Sequence, residues 1–324
     1  MLGGPTVLPI QPFTPYGLDF AQEATDFVAD DSMPWKQTQK TTGWYYVPDA
    51  RNFLRAEDLA WSRETGATRV LSQYGKDTFI AQPYGAEEPV SDIDAQDWMD
   101  GPDDLASQTM RALLQRVLLA REVRVFTAVD GSGAGTTSVS GAGQWDSTAA
   151  NPRLDILKAK AAIHKRVGKE GNNVMISGLV YEVLTGSQAA GTAGAAVLDA
   201  IKYTREAGGN VFTEDLMTGY FNVMKVRFAK AVQQDTTKHT QRAVSPGLPE
   251  AGVYVWSAKK VYVMYQGNPG GKEPNFGTTF GPDLSTPDDY RENKTKSTVY
   301  RITSTVIEKV VCLPALNICT TVIS

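Results

Sequence analysis

Residues 44–83 constrain this chain more than any other stretch, because they read as a long two-stranded ribbon with no core of its own. Trp44, Tyr45, Tyr46 and Val47 open one strand, and residues 70–84, with Phe79 and Ile80, supply the return strand. Aromatic and β-branched residues favour both positions. The tip between them, residues 55–69, sets Arg55, Arg63 and Arg69 against Glu57, Asp58 and Glu64 around Trp61. A two-stranded ribbon alone is only marginally stable in water. It must therefore lie on another surface, and balanced charge around one aromatic suits docking on a partner. The competing reading is a hairpin folded back on its own domain.

The segments on either side extend the pattern. Pro5, Pro9, Pro12, Pro15 and Pro34 prevent a long helix across residues 1–43. Leu8, Ile10, Phe13, Phe20, Phe27, Val28 and Trp35 make this arm too apolar for a solvated tail, and one short helix is expected near residues 19–29. After the ribbon come nine acids between Asp77 and Met110 with no Lys or Arg among them, so the rest of this −4 chain is net positive. Such a block reads as a solvated segment or as a contact for a basic patch on another subunit. A long helix then spans about 103–125. Asp103 and Asp104 lie at its start and Arg116, Arg121 and Arg124 toward its end, as the helix dipole favours. Leu105, Met110, Leu113, Leu114, Val117 and Leu118 form its apolar stripe.

Residues 131–143, with five glycines, predict a mobile loop. A second amphipathic helix at 154–167 follows, with Pro152 at its start and Gly168 at its end. The remainder alternates: a strand at 173–177, helices at 179–184 and 197–204, a short helix at 212–220 and a strand at 222–232. A hairpin is expected from 253–256 and 260–265, then a Gly/Pro-rich loop at 267–287 and closing strands at 298–311 and 316–323. Strands alternating with helices indicate a mixed α/β lobe.

At 324 residues the chain can hold two or three small domains or one extended body with lobes. No apolar run approaches the roughly 18 to 20 residues of a membrane helix, and the first residues lack a secretory pattern. The product is expected to be soluble and made in a reducing cytoplasm. Cys312 and Cys319 are the only cysteines, and their odd separation on a strand points them to opposite faces, as buried thiols rather than a disulfide or zinc site.

Signals for catalysis are poor. His164 lies among helix lysines, and His239 lies in a polar stretch beside Lys238. They form neither a metal pair nor the base of a nucleophile. Gly131-Ser132-Gly133-Ala134-Gly135 has its serine one place off a nucleophile elbow. No catalytic, cofactor-binding or metal-ligating residue is expected. The basic face of Lys158, Lys165, Arg166 and Lys169 reads as solvated, with at most non-specific, salt-dependent contact to phosphates.

The order of parts resembles the major capsid proteins of tailed bacteriophages that share the Hong Kong 97 capsid fold. The resemblance rests on residues 42–47 through Phe53-Leu54 entering the ribbon and residues 84–92 leaving it. It rests also on 118–125 near the end of the long helix, on Trp145, on Asn151-Pro152 before Asp155-Ile156, and on the strand 173–177. No single motif is specific; six parts in order are stronger than any one. It implies an α+β fold with an N-terminal arm (1–43), an extended E-loop hairpin (44–83) and a peripheral (P) domain with a long spine helix (84–150). A mixed α/β axial (A) domain (151–297) and closing strands returning to the P domain (298–324) complete it.

The resemblance further implies a structural protein, not an enzyme, that assembles with itself into hexamers and pentamers of an icosahedral head around packaged double-stranded DNA. The head would form in the host bacterial cytoplasm. Portal, scaffolding and decoration proteins would be further partners, with no cofactor and no membrane. Some relatives crosslink their shells through an E-loop lysine; no lysine lies between Lys40 and Lys76, so an uncrosslinked shell is expected. The start at Met1 suggests no cleaved scaffolding segment. Encapsulins, protein cages with the same fold, are the main alternative, and an α/β enzyme domain a third. The expected contacts between subunits are Trp61, Arg63 and Arg69 at the ribbon tip and Phe20, Phe27 and Trp35 of the arm.

Overall fold

The computed structural model describes residues 26–49, 54, 74–97, 105–147, 150–185, 214–233 and 253–323. Two sheets organise them. The first has strand order β1-β11-β12-β4 (Trp35–Gln37, Gly277–Glu292, Ser297–Val310, Gln82–Ser91). The second is five-stranded and mixed, in the order β5-β13-β10-β6-β7 (Gly135–Ser138, Leu316–Thr320, Val261–Met264, Asn173–Ser177, Lys225–Ala229). The ribbon base, β2 (Thr42–Pro48) and β3 (Tyr74–Ile80), forms an antiparallel pair, as does the short pair β8 (Val232–Gln233) and β9 (Val253–Tyr254).

The five-stranded sheet is covered on both faces, which is why every residue of β6 is buried, with the apolar Val174, Met175 and Ile176 between Asn173 and Ser177. On one face Val174, Ile176, Val226 and Phe228 pack against α4 (Pro152–Val167), α5 (Gly178–Thr185) and α6 (Glu214–Phe221). On the other, Met175, Tyr262, Met264 and Ile318 meet Val28, Met33, Val125, Val129 and Trp256. The two cysteines divide between these cores: Cys319 lies in the first and Cys312 in the second, both as free buried thiols. Burial pushes the Cys312 thiol up to about 11 and the Cys319 thiol up to about 12.

One helix serves both sheets. Helix α3 runs from Leu105 to Asp130, 26 residues or about 39 Å. Its first half packs Met110, Leu113, Leu114 and Val117 on Ile302, Tyr300 and Ala86 of the first sheet. Its last turns place Val125 and Val129 in the core of the second. It therefore extends beyond residue 125, and the arginines expected near its end lie within its body. Arg121 is buried and pairs with Asp30 at 2.7 Å, and Arg124 pairs with Glu308 at 3.0 Å while stacking on Tyr84. Side-chain partners, not the helix dipole, explain those two cations. At the true end Asp130 takes hydrogen bonds from Lys260 (2.6 Å) and the Tyr262 hydroxyl (2.8 Å), which offsets an acid at a helix carboxyl end.

Helix α4 begins where its sequence says it should. The Asn151 side chain accepts from the Leu154 N–H at 3.0 Å, Pro152 takes the first turn, and Gly168 closes it at φ 75°. Trp145 is fully buried and donates its indole N–H to Asp155 at 3.2 Å.

Other expectations change. The stretch 267–287 is not all loop: β11 starts at Gly277 and carries Pro282 and Pro287 through register shifts between Phe280 and Asp283 and between Asp283 and Thr286. Past Gly281 no strand pairs with the β1 side of β11 among the described residues, so prolines without an N–H are tolerated there. At Gly281 a Cβ would overlap the Thr305 carbonyl, so glycine is required at this irregularity. Within 131–143, Gly135–Ser138 is a strand, paired in parallel with β13. Residues 253–256 and 260–265 do not pair with each other; β9 pairs with β8, and β10 lies between β13 and β6. The closing strands lie in different sheets, β12 in the first and β13 in the second. Most of the helix expected near 19–29 lies outside the described residues, which show a single turn, α1 (Ala29–Ser32), at its end, and the helix expected at 197–204 lies outside them too.

Candidate assembly surfaces

The ribbon leaves the body on a seat of three rings. Alternation places Gly43, Tyr45 and Val47 on one face of β2, with Phe79 beside them on β3. Tyr45 and Phe79 both stack on Phe280 of β11, with centroids 5.0 and 4.9 Å away, and Val311 and Ile307 close the cluster. A side chain at residue 43 would come within 2.8 Å of the Phe79 ring, so Gly43 makes room for it. The Tyr45 hydroxyl donates to Asp77 at 2.8 Å. Burial and that carboxylate raise the phenol well above its usual range, and the same bond lowers the Asp77 carboxyl.

The opposite face of the ribbon is a ladder of Trp44, Tyr46 and Tyr74. Trp44 and Tyr46 meet edge to face at 5.1 Å, and Tyr46 and Tyr74 at 5.9 Å. Lys76 lies 4.7 Å over the Trp44 ring, and Lys272 lies 5.3 and 5.2 Å over Tyr46 and Tyr74. Trp44 is 55% exposed and neighbouring Ile80 is 63% exposed. The ribbon is thus seated on one face and open on the other.

The arm is anchored differently. Val28 and Ala29 donate their N–H groups to the Glu122 carboxylate at 3.1 and 2.9 Å, and Trp256 donates its indole N–H to it at 2.5 Å. Glu122 is fully buried. Burial pushes its carboxyl up to about 7, against those donors and the neighbouring Arg121. Beside it Asp31 receives Lys225 and, at 2.6 Å, Arg227, whose other side meets Glu214 at 2.5 Å. Asn173 donates to the Asp31 carbonyl at 2.7 Å. Residues 26–33 are therefore tied to α3, β6 and β7 within one chain.

Of the contacts expected from sequence, Phe20, Trp61, Arg63 and Arg69 lie outside the described residues. Phe27 is half-buried against its own chain's second core. Trp35 is half-buried in β1 and donates its indole N–H to the Gly281 carbonyl at 3.2 Å. The acidic block meets arginines of its own chain: Glu88 pairs with Arg116 at 2.9 Å and Asp92 with Arg291 at 2.5 Å. On the lysine face of α4, Lys158 pairs loosely with Asp155 at 3.6 Å, and Arg166 donates to the Leu316 carbonyl at 3.3 Å. Sequence reasoning missed Glu122, Asp31 and Phe280. An acid with Leu118, Leu119, Val125 and Phe126 three and four residues away on its helix face was a signal for Glu122; Phe280 sat in a stretch that glycine and proline marked as loop.

Among the described residues no cluster of His, Cys, Asp and Glu gathers as a metal site would, and no helix is long and apolar enough to cross a membrane.

No family model matches the chain, and no curated protein matches it in sequence. Solved structures do. A phage-related protein from Bordetella bronchiseptica RB50 is similar at 20% identity and TM-score 0.65, over 94% of this chain and 95% of that one. A capsid structure of the cyanophage P-SCSP1u is similar at 10% identity and TM-score 0.51, over 88% and 85%. A chain of Microbacterium phage Oxtober96 is similar at 9% identity and TM-score 0.53, over 90% of each. At these identities the likeness is one of fold: the chain has the Hong Kong 97-type capsid fold, with mixed helices and sheets in the same arrangement over nearly its full length.

Proposed function

We propose that this chain is a major capsid protein, many copies of which build the icosahedral head of a tailed phage from hexamers and pentamers around double-stranded DNA. The observation that carries the reading is the ribbon. Its base is fixed by Phe280 on one side and leaves an exposed aromatic ladder on the other. A monomer has little use for a surface of this kind, whereas an assembly tiled by repeated contacts needs one. The agreement of fold with a phage capsid over 88% of the chain supports the same reading.

On this reading the subunit works without catalysis, and Trp61, Arg63, Arg69, Phe20, Phe27 and Trp35 contribute contacts between subunits. Portal, scaffolding and decoration proteins are the further partners, and the packaged DNA is touched without sequence preference. The head assembles in the host bacterial cytoplasm.

Expression followed by gel filtration and negative-stain microscopy tests it: closed particles are expected, and a lasting 35.2 kDa monomer overturns it. The ratio of absorbance at 260 and 280 nm, after nuclease treatment of particles from infected cells, separates a DNA-filled head from a cage filled with protein. Boiling in detergent is expected to return only monomers, because no lysine lies between Lys40 and Lys76 to form a crosslink at the ribbon tip.

A further inference from the structure

Two surface features have unmet chemistry of opposite kinds and lie too far apart to meet within one chain. The first is the open face of the ribbon base, where Lys76 and Lys272 stand over Trp44, Tyr46 and Tyr74. Among the described residues neither lysine has a carboxylate within ion-pairing distance. Nearby Lys36 and Lys309 add positive charge, opposed by Glu273 and by Asp77, which is already engaged by Tyr45.

The second feature is α2 (Asp92–Asp97), a short helix at the far end of the first sheet. Ser91 caps it by accepting from the Asp94 N–H at 3.1 Å while donating to the Asp94 carboxylate at 2.7 Å. Ile93 stands 70% exposed in the first turn between two acids. Arg291 is taken by Asp92, but Asp94 has no ion pair among the described residues. Asp289 and Glu292 of β11 add to the negative charge of this tip, and Lys294 and Lys296 of the adjoining turn oppose it.

Strand β12 measures the gap between the two. Its Ser297 end pairs with Ser91 beside α2, and its Ile307 pairs with Phe280 beneath the ribbon. Ten residues of strand put them roughly 30 Å apart. We infer that the Ile93–Asp94 tip of one copy docks on the aromatic-lysine ladder of a second copy, Ile93 against the exposed Trp44 and Asp94 between Lys76 and Lys272. This deepens the capsid reading and rests on it. The contact joins two different surfaces, so it is heterologous, and repeated heterologous contacts close into rings or continue without end. Apolar contact at the centre with charge around it is the usual anatomy of such an interface, and the charge should make it salt-sensitive.

Paired substitutions and a crosslink test it. Lys76→Glu with Lys272→Glu is expected to lower the assembled fraction at least about tenfold at fixed concentration, as is Asp94→Lys alone. The three together are expected to recover assembly to within about threefold of the parent. Circular dichroism of each variant shows whether the fold is retained. Independently, Lys76→Cys combined with Ile93→Cys should give, on mild oxidation at high concentration, a ladder of disulfide-linked multimers that neither single variant gives. The two native thiols are buried and do not compete.

Particles from the parent without any ladder, or charge variants that assemble as well as the parent, overturn this contact and leave the capsid reading standing. A ladder from a chain that never forms particles upholds the contact and overturns the capsid reading. Neither particles nor ladder overturns both.

Discussion

The arm clamp and the ribbon base are both aromatic and charged, yet the chain treats them in opposite ways. At the clamp the carboxylates find their donors inside the molecule: Glu122 takes Val28, Ala29 and Trp256, and Asp31 takes Lys225 and Arg227. At the ribbon base Phe280 satisfies one face, and the other presents an indole and two lysines to solvent. Closed chemistry of the first kind contributes to folding. Open chemistry of the second kind contributes nothing until a second surface arrives. Mutations should therefore separate the two regions cleanly.

The largest loss of stability is expected at the clamp. Glu122→Ala strands three buried donors and should cost roughly 4 kcal/mol of unfolding free energy in a denaturant titration. A cost under about 1 kcal/mol would show that the arm is not held there. Next comes the seated face of the ribbon. Phe280→Ala removes the ring under Tyr45 and Phe79 and should cost about 3 kcal/mol, with faster proteolysis within residues 44–83.

Acidity sharpens the contrast further. The Glu122 carboxyl is raised from its ordinary 4.5 to about 7 in the folded chain. Between those values the folded state binds more protons than the unfolded one. The contribution is therefore fully present below about pH 4.5 and is lost as pH rises through about 7. It amounts to at most about 3 kcal/mol. Glu122→Gln should flatten this slope: the difference in stability between parent and variant should shift in the parent's favour at pH 5 relative to pH 8. A shift of the opposite sign would mean that the donors outweigh burial. The smallest effect on folding is expected at the open face. Trp44→Ala should change monomer stability by less than about 0.5 kcal/mol while lowering particle yield.

Much of this architecture was legible. The run 173–177 gave a strand at its observed limits, because a strand covered on both faces is apolar through its middle, here Val174, Met175 and Ile176. Asn151-Pro152 and Gly168 marked α4, since caps are chemistry local to a helix end. The ribbon strands were readable from their aromatics, although the return strand expected over 70–84 stops at Ile80 and residues 82–84 pair with β12 in β4. Long-range partners were not. Pro282 and Pro287 argued for a loop, and they fit in β11 because no strand pairs on that side beyond Gly281 among the described residues. Arg121 looked like a charge for a helix terminus, although its true partner Asp30 lies 91 residues away. Of the assembly surface, the aromatic character of Trp44 and Tyr46 was visible in the sequence. The arrival of Lys272 over the Tyr46 ring depends on a loop more than 200 residues distant.

Helix α3 is a single rod sunk in two cores, and such a rod acts as a lever. A tilt of a few degrees at its Leu105 end displaces the Asp130 end by about 2–3 Å over its length of about 39 Å. Because both ends are packed, neither lobe can reorient while the other stays still. Any change of curvature in a lattice built from these subunits must be absorbed where the rod does not reach, in the ribbon.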